Sequence, residues 1–326
     1  MEMEANKQPI LQITNVSKYF PVKNSKLFLK SKDFLKAVND ISLNIYPGDT
    51  IGIVGESGCG KTTLAKMILH LQKPTKGQIL YNGVDIYSMD KAETKHLRTE
   101  IQIVFQDPFS SLNPRMRVGE IIGEPLKIHY KLSKDEYEKQ VMEIMMKVGI
   151  NPKHMNRFPH EFSGGQRQRI MIAKALILKP KVLVCDEPVS ALDVSIRSEI
   201  LNLLSDLKKE MEFTILFISH DLTVVEYICS RIAVMYLGKV VEAANEADLY
   251  AKPIHPYTKA LLSAIPVPDP HHKSERIILE GDVPSPINPP VGCFFKNRCI
   301  YKNERCNASP ELSEREPAHY VACHNC

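Results

Sequence analysis

The segment Gly55-Glu56-Ser57-Gly58-Cys59-Gly60-Lys61-Thr62 has the spacing GxxxxGK[ST]. An apolar, β-branched run, Thr50–Val54, precedes it and a helical pattern from about Lys61 to Leu71 follows, the strand–loop–helix setting this spacing needs. Glycines at 55, 58 and 60 let successive backbone N–H groups converge on phosphate oxygens, and the following helix points its positive N-terminus at the same anion. Lys61 is placed to bridge the β- and γ-phosphates of a nucleotide and the Thr62 hydroxyl to ligate Mg2+. Ser57, Cys59 and Thr63 complete the residues expected to bind ATP.

Two further constellations bear on the same chemistry. Val182-Leu-Val-Cys-Asp186-Glu187 is an apolar strand ending in two carboxylates, about 125 residues after the phosphate loop. Asp186 is placed for the Mg2+ shell, and Glu187 can polarise or deprotonate an attacking water. Phe162-Ser163-Gly164-Gly165-Gln166 supplies a serine able to cap a helix, followed by glycines that let backbone amides approach an anion. One γ-phosphate cannot sit on two such surfaces separated within one chain. A head-to-tail dimer, in which each chain's serine loop closes the other's phosphate loop, resolves this.

The elements that must position these residues follow from hydrophobic periodicity. Residues 10–20 and 37–46 alternate and predict paired antiparallel strands, with Pro47-Gly48-Asp49 as a turn. Between Asp107 and Glu161 the pattern becomes helical, with Tyr137, Val141, Ile144, Met145 and Val148 on one face; a helical subdomain over about 107–165 is expected. A helix over Gly164–Leu178, a strand over Lys181–Cys185, a helix near Ser195–Glu210 and a strand over Phe213–Ser219 predict an α/β domain with a mainly parallel sheet. The pattern fades near Asn245. Residues 246–326, with prolines at 266–270 and 284–290, read as a loop-rich appendage to a 1–245 domain, and there is no internal repeat.

Composition narrows the class. The 326 residues are 44% hydrophobic and 25% charged, as for an ordinary globular protein. A net charge of +4 is too small to argue for a nucleic-acid partner. No apolar run reaches the length of a membrane span, and the polar start MEMEANKQP predicts no secretory signal, so membrane association is expected through a partner.

These motifs resemble the ATP-binding-cassette (ABC) ATPase family, whose signature reads LSGGQ; Phe162 stands here at the leucine, an apolar exchange. Over residues 10–245 the resemblance implies a RecA-like core with an antiparallel β-subdomain and an inserted helical subdomain. It also implies roles. Gln106 would link Mg2+ and the attacking water to the helical subdomain, Asp193 of Ser190-Ala-Leu-Asp193 would communicate across the dimer, and His220 would contact the γ-phosphate. Phe20, or its neighbour Tyr19, would stack on adenine. A narrower resemblance, carried by Gln106-Asp-Pro-Phe-Ser-Ser-Leu-Asn-Pro-Arg115, Met235-Tyr-Leu-Gly238 and His255-Pro-Tyr-Thr-Lys-Ala-Leu-Leu262, is to the dipeptide/oligopeptide importer ATPases. It implies a second ATPase subunit (paralogue or self), two membrane permeases, an extracytoplasmic peptide-binding protein and a place on the cytoplasmic face of the cell membrane. Nickel importers of the same family are the alternative. DNA-repair ATPases, which insert long coiled coils between the two loops, are disfavoured by the roughly 100 residues between Lys61 and Ser163; translation-associated relatives generally carry two cassettes.

Five of the eight cysteines lie in the last 34 residues, spaced Cys293-x5-Cys299-x6-Cys306-x16-Cys323-x2-Cys326. This is a poor zinc-ribbon pattern. Four thiolates from well-separated loop positions suit a cubane cluster, and related importer ATPases share a Cys-rich extension that in some carries [4Fe–4S]. The expectation is a cluster held by Cys293, Cys299, Cys306 and Cys323, stapling a tail too loop-rich to order itself, with zinc or free thiols as the other readings.

Overall fold

A computed structural model describes residues 8–22, 33–107, 111–266 and 276–326. Its elements run β1 (Leu11–Pro21), β2 (Phe34–Ile45), β3 (Thr50–Val54), α1 (Lys61–Ile68), β4 (Lys76–Tyr81), β5 (Val84–Asp85), α2 (Lys91–Glu100) and β6 (Ile101–Val104). There follow α3 (Val118–His129), α4 (Lys134–Lys147), α5 (Gly164–Leu176), β7 (Val182–Asp186), α6 (Val194–Met211), β8 (Thr214–Ser219) and α7 (Leu222–Ile228). The chain ends with β9 (Arg231–Tyr236), β10 (Lys239–Asn245), α8 (Glu246–Ala251), α9 (Pro256–Ser263), β11 (Ser313–Glu316) and β12 (His319–Val321). Pro108–Ser110, within the Gln106–Arg115 motif, and 267–270 of the first proline-rich stretch lie outside the described residues.

The described residues form two compact units, one drawn from those up to Ile45, within Asp49–Tyr87 and from Ile218 on, the other from those within Tyr46–Gly48 and Ser88–Phe217.

In the first unit, β1 pairs antiparallel with β2, as the alternation predicts. The sheet extends on the other side of β1 to β4 and then β5, which periodicity did not reveal. A second set of strands surrounds β3. All five β3 residues are buried, and β3 lies parallel to β9 with Val54 opposite Val234. Strand β9 continues antiparallel to β10, β10 to β12 and β12 to β11. The C-terminal segment therefore enters the sheet of the phosphate-loop unit.

That corrects the expectation of a tail unable to order itself. Phe295 is 2% exposed and sits in an aromatic cluster with Tyr236, Tyr257 and His255, at centroid distances of 5.3, 5.5 and 5.6 Å. Val321, His319, Cys306 and Cys323 are buried as well. The motifs Met235–Gly238 and His255–Leu262 are thus not separate markers; their tyrosines pack on the same phenylalanine. Burying one such aromatic ring contributes about 2–3 kcal/mol toward the ordering entropy of the segment.

In the second unit, β6 lies parallel to β7. Helix α2 starts with a capping box, the Asp90 carboxylate accepting from the Ala92 and Glu93 amides. Helices α3 and α4 follow the apolar pattern of the sequence, burying Ile121, Ile122 and Leu126 on one and Val141, Ile144 and Met145 on the other. Gly123 permits their close approach, since a Cβ there would run into the Tyr137 ring.

Candidate functional site

Strand β3 delivers the chain into the phosphate loop, and backbone geometry then dictates the glycines. Gly55 (φ +151°) and Gly60 (φ +109°) lie where L side chains are strained, and a Cβ on them would meet the carbonyl oxygens of Met235 and Ala37. The loop is docked further by the Gly238 amide, which donates to Cys59 O at 2.8 Å. Lys61, 5% exposed, turns back over the loop and donates to the carbonyls of Gly55 (2.7 Å) and Glu56 (3.0 Å). Its ammonium is thereby held at the mouth of helix α1, where Thr62 is exposed and Thr63 half-buried. Ser57 and Gly58 are exposed, and Cys59 is buried, burial pushing its thiol up. A glycine-built loop with a buried lysine beside a helix N-terminus can hold a polyphosphate.

In the same unit, His220 directly follows β8 in an exposed position, and the next residue, Asp221, caps α7 by accepting from Thr223 N at 3.0 Å. Phe20 and Tyr19 stand near the end of β1. The Tyr19 hydroxyl donates to Asn39 Oδ1 at 2.7 Å, while Lys18 Nζ lies 5.2 Å from the Phe20 ring centroid.

The second unit carries the carboxylates. Strand β7 is wholly buried and ends on Asp186, 8% exposed. Glu187 follows with φ +49°, a left-handed conformation costly for a non-glycine residue and of a kind that gathers at functional sites. Gln106 Nε2 donates to Glu187 Oε2 at 2.9 Å, so two residues 81 apart in sequence are brought together. That donation leaves the Gln106 carbonyl available as a ligand. With the Asp186 carboxylate of the same unit it offers oxygen donors, which is chemistry that suits Mg2+.

Ser163 begins α5 in a full capping box, its hydroxyl accepting from Gln166 N (3.3 Å) while Gln166 Oε1 accepts from Ser163 N (3.0 Å). Gly164 is open: a Cβ on it would have no neighbour nearer than Leu192 Cδ2, at 3.7 Å. Gly165 is required by helix packing, because a Cβ there would stand 2.5 Å from Ile196 Cγ2. The two glycines therefore do different things. Asp193 sits at the N-cap of α6.

The expected iron–sulfur site is corrected. Cys293, Cys299, Cys306 and Cys323 form no disulfide. Burial, with neighbouring cysteine charges adding to it, pushes the Cys293 and Cys299 thiols up. Two of the sulfurs have partners in their own turns: Cys306 Sγ donates to Asn303 Oδ1 (3.6 Å), and Cys323 Sγ accepts from Asn325 N (3.4 Å). Among the described residues no group of three or more His, Cys, Asp or Glu side chains could hold a metal ion, so neither [4Fe–4S] nor zinc fits.

Sequence reasoning passed over Glu56, Arg298, Glu242 and His319. Arg298 donates to both carboxylate oxygens of Glu56 (2.9 and 3.1 Å), and His319 Nε2 lies 2.7 Å from Glu242 Oε1. Nothing in local spacing couples residues so far apart.

Fold and loops together define an ATP-binding cassette. Residues 38–190 match the ABC transporter family and residues 241–306 the oligopeptide/dipeptide transporter C-terminal region. The oligopeptide transport ATP-binding protein OppF of Haemophilus influenzae is 49% identical over 328 residues, 99% of each chain. AppF of Bacillus subtilis, another oligopeptide transport ATP-binding protein, is 49% identical over 324 residues, 98% of each. Among solved structures, a post-hydrolysis dimer of the ATP-binding cassette MJ0796 bound to ADP and Pi matches at TM-score 0.64 and 29% identity, covering 72% of this chain and 98% of that one. CbiO1 of Clostridium perfringens, part of the cbiONQ ABC transporter complex, matches at TM-score 0.65 and 31% identity, covering 76% and 92%. The chain belongs to the family of oligopeptide-transport ATP-binding proteins of ABC transporters.

Proposed function

We propose that this chain binds and hydrolyses ATP to energise a membrane importer of di- or oligopeptides. The observation that carries it is the glycine-built phosphate loop, with Lys61 folded over it, in a chain 49% identical over nearly its whole length to oligopeptide transport ATP-binding proteins. Gly55, Ser57, Gly58, Cys59, Gly60, Lys61, Thr62 and Thr63 hold the phosphates. Phe20 stacks on adenine, a reading supported by the hydrogen bond that already occupies the Tyr19 hydroxyl.

Glu187 accepts a proton from water as the water oxygen bonds to the γ-phosphorus, and the bond from that phosphorus to the bridging oxygen breaks to leave ADP. Gln106 holds the Glu187 carboxylate in place through its amide. His220 contacts the γ-phosphate. Thr62, Asp186 and Gln106 would hold Mg2+, which neutralises charge on the β- and γ-phosphates.

Two ATPase subunits face head to tail, so that Ser163, Gly164, Gly165 and Gln166 of one close on the nucleotide of the other, with Asp193 at the contact. The serine's hydroxyl and the amides at the α5 N-terminus supply the second anion-binding surface. The subunit works at the cytoplasmic face of the membrane against two permeases, with an extracytoplasmic binding protein delivering peptide. No helix among the described residues is long and apolar enough to cross a membrane.

Uptake of a labelled oligopeptide by cells lacking this chain, restored by wild type and not by Lys61→Ala, tests the reading. Restoration of nickel uptake with no effect on peptide would reassign the cargo, and absence of ATP hydrolysis by the reconstituted transporter would sink the reading altogether.

A further inference from the structure

We propose that Arg298 is a positioning residue for nucleotide, holding the Glu56 side chain of the phosphate loop so that ATP affinity depends on the seating of the C-terminal segment. The inference rests on the ATP-binding reading above. Glu56 is the second residue of the loop, and its own carbonyl, with that of Gly55, receives the Lys61 ammonium. Its side chain and amide are both taken by residues far along the chain. Arg298 donates Nη1 to Oε2 (2.9 Å) and Nη2 to Oε1 (3.1 Å), a two-pronged pairing, and the Glu56 amide donates to the Tyr257 hydroxyl at 3.0 Å.

The brace is built on a rigid base. The Arg298 side chain is only 8% exposed, and its guanidinium carbon lies 5.9 Å from the Tyr236 ring centroid. Tyr236 and Tyr257 are fully buried against Phe295, three residues before Arg298. Nothing about this contact is a loose surface pair. A fork of two charge-assisted hydrogen bonds fixes direction as well as charge, which lysine could not do.

The physical consequence concerns the anion. A loop whose amides gather round a polyphosphate carries, at this position, a carboxylate that opposes the same anion by Coulomb repulsion. Arg298 offsets that charge and holds the carboxylate in one direction, and with Tyr257 it fixes the backbone from which Lys61 is held. Seating of the segment from Phe295 to Arg298 and shape of the phosphate loop are thereby one structural variable.

The test is a double-mutant cycle on the purified full-length chain, reading the equilibrium dissociation constant for ATP with Mg2+ and the KM and kcat for ATP separately. Arg298→Met should weaken ATP binding ~10-fold, the scale of losing a charge-assisted pair, and raise KM more than it lowers kcat. In a Glu56→Gln background the same Arg298→Met change should alter affinity less than ~3-fold, because the carboxylate it must hold is gone. Wild-type affinity in Arg298→Met overturns the proposal. So does an equal loss in both backgrounds, which would assign Arg298 to fold stability alone. Should Arg298→Met not fold, Arg298→Lys enters the same cycle and is judged by the same two outcomes. Failure of the wild-type chain to bind ATP would instead refute the underlying reading.

Discussion

His319 Nε2 and Glu242 Oε1 lie 2.7 Å apart, with both residues sealed from solvent. Glu242 belongs to β10 and His319 to β12, whose pairing brings Glu242 opposite Val321. The same carboxylate accepts from the amides of Ile254 (2.7 Å) and His255 (3.0 Å), so it ties the C-terminal strand to the start of α9. Polar groups buried this deeply must be paired, and here one side chain satisfies three of them.

Glu242→Leu should therefore destabilise the protein by about 3 kcal/mol or more, since it leaves two amides and an imidazole buried without a partner. Glu242→Gln, which keeps an acceptor, should lose less. Denaturant unfolding midpoints measure both; a wild-type midpoint in Glu242→Leu would show that the C-terminal strand is held by its apolar contacts alone.

A pH dependence follows from His255. Burial pushes its imidazole down from 6.5 to about 3, and its Nδ1 accepts from Tyr257 N at 3.1 Å, which requires the neutral ring. The unfolded chain takes up this proton near pH ~6.5 and the folded one does not until about 3, so in that window the unfolded state holds more protons and stability rises with pH. Moving from pH ~7 to ~5 should cost roughly 2 kcal/mol through this residue. His255→Asn keeps a side-chain oxygen to cap α9 and removes the titration. Glu242, which accepts the His255 amide, and His319 are common to both proteins and drop out of the comparison. Parallel curves of unfolding free energy against pH would refute the assignment.

Glu187→Gln tests the chemistry. ATP binding should persist while steady-state hydrolysis falls by at least ~10²-fold, the scale of losing a general base. The ATP-bound dimer should accumulate in gel filtration because it no longer discharges. Turnover within a few-fold of wild type would remove Glu187 from the proton transfer.

Ser163→Arg addresses the dimer. In the head-to-tail reading Ser163 acts on the partner's nucleotide, so affinity at the chain's own phosphate loop should be nearly unchanged in the isolated monomer. Closure on a partner should be lost, seen as no ATP-dependent dimer. Collapse of monomer affinity would contradict a serine loop that acts on the partner's nucleotide.

Local spacing carried a great deal. Gly55, Gly60, Lys61 and Thr62 were identifiable because a phosphate loop needs adjacent backbone groups with special dihedrals, a short-range requirement written into neighbouring residues. The serine cap at Ser163, the buried strands β3 and β7 and the α4 face were legible for the same reason. Strands β4 and β5 were not, since six of the eight residues in these two strands are exposed or half-buried and no alternation marks them.

What only the tertiary structure decided lies in contacts between residues far apart in the chain. The Gln106 hydrogen bond to Glu187, the Arg298 fork on Glu56 and the Glu242–His319 pair span 81, 242 and 77 residues. Cysteine spacing invited a metal staple for the tail. Whether thiols converge, however, is set by how the intervening loops fold, and here Phe295, His319 and Val321 found buried partners in the sheet and aromatic cluster of the phosphate-loop unit. Spacing determines which groups are available. Packing determines which of them meet, because burial free energy is gained only by surfaces that the completed fold brings together.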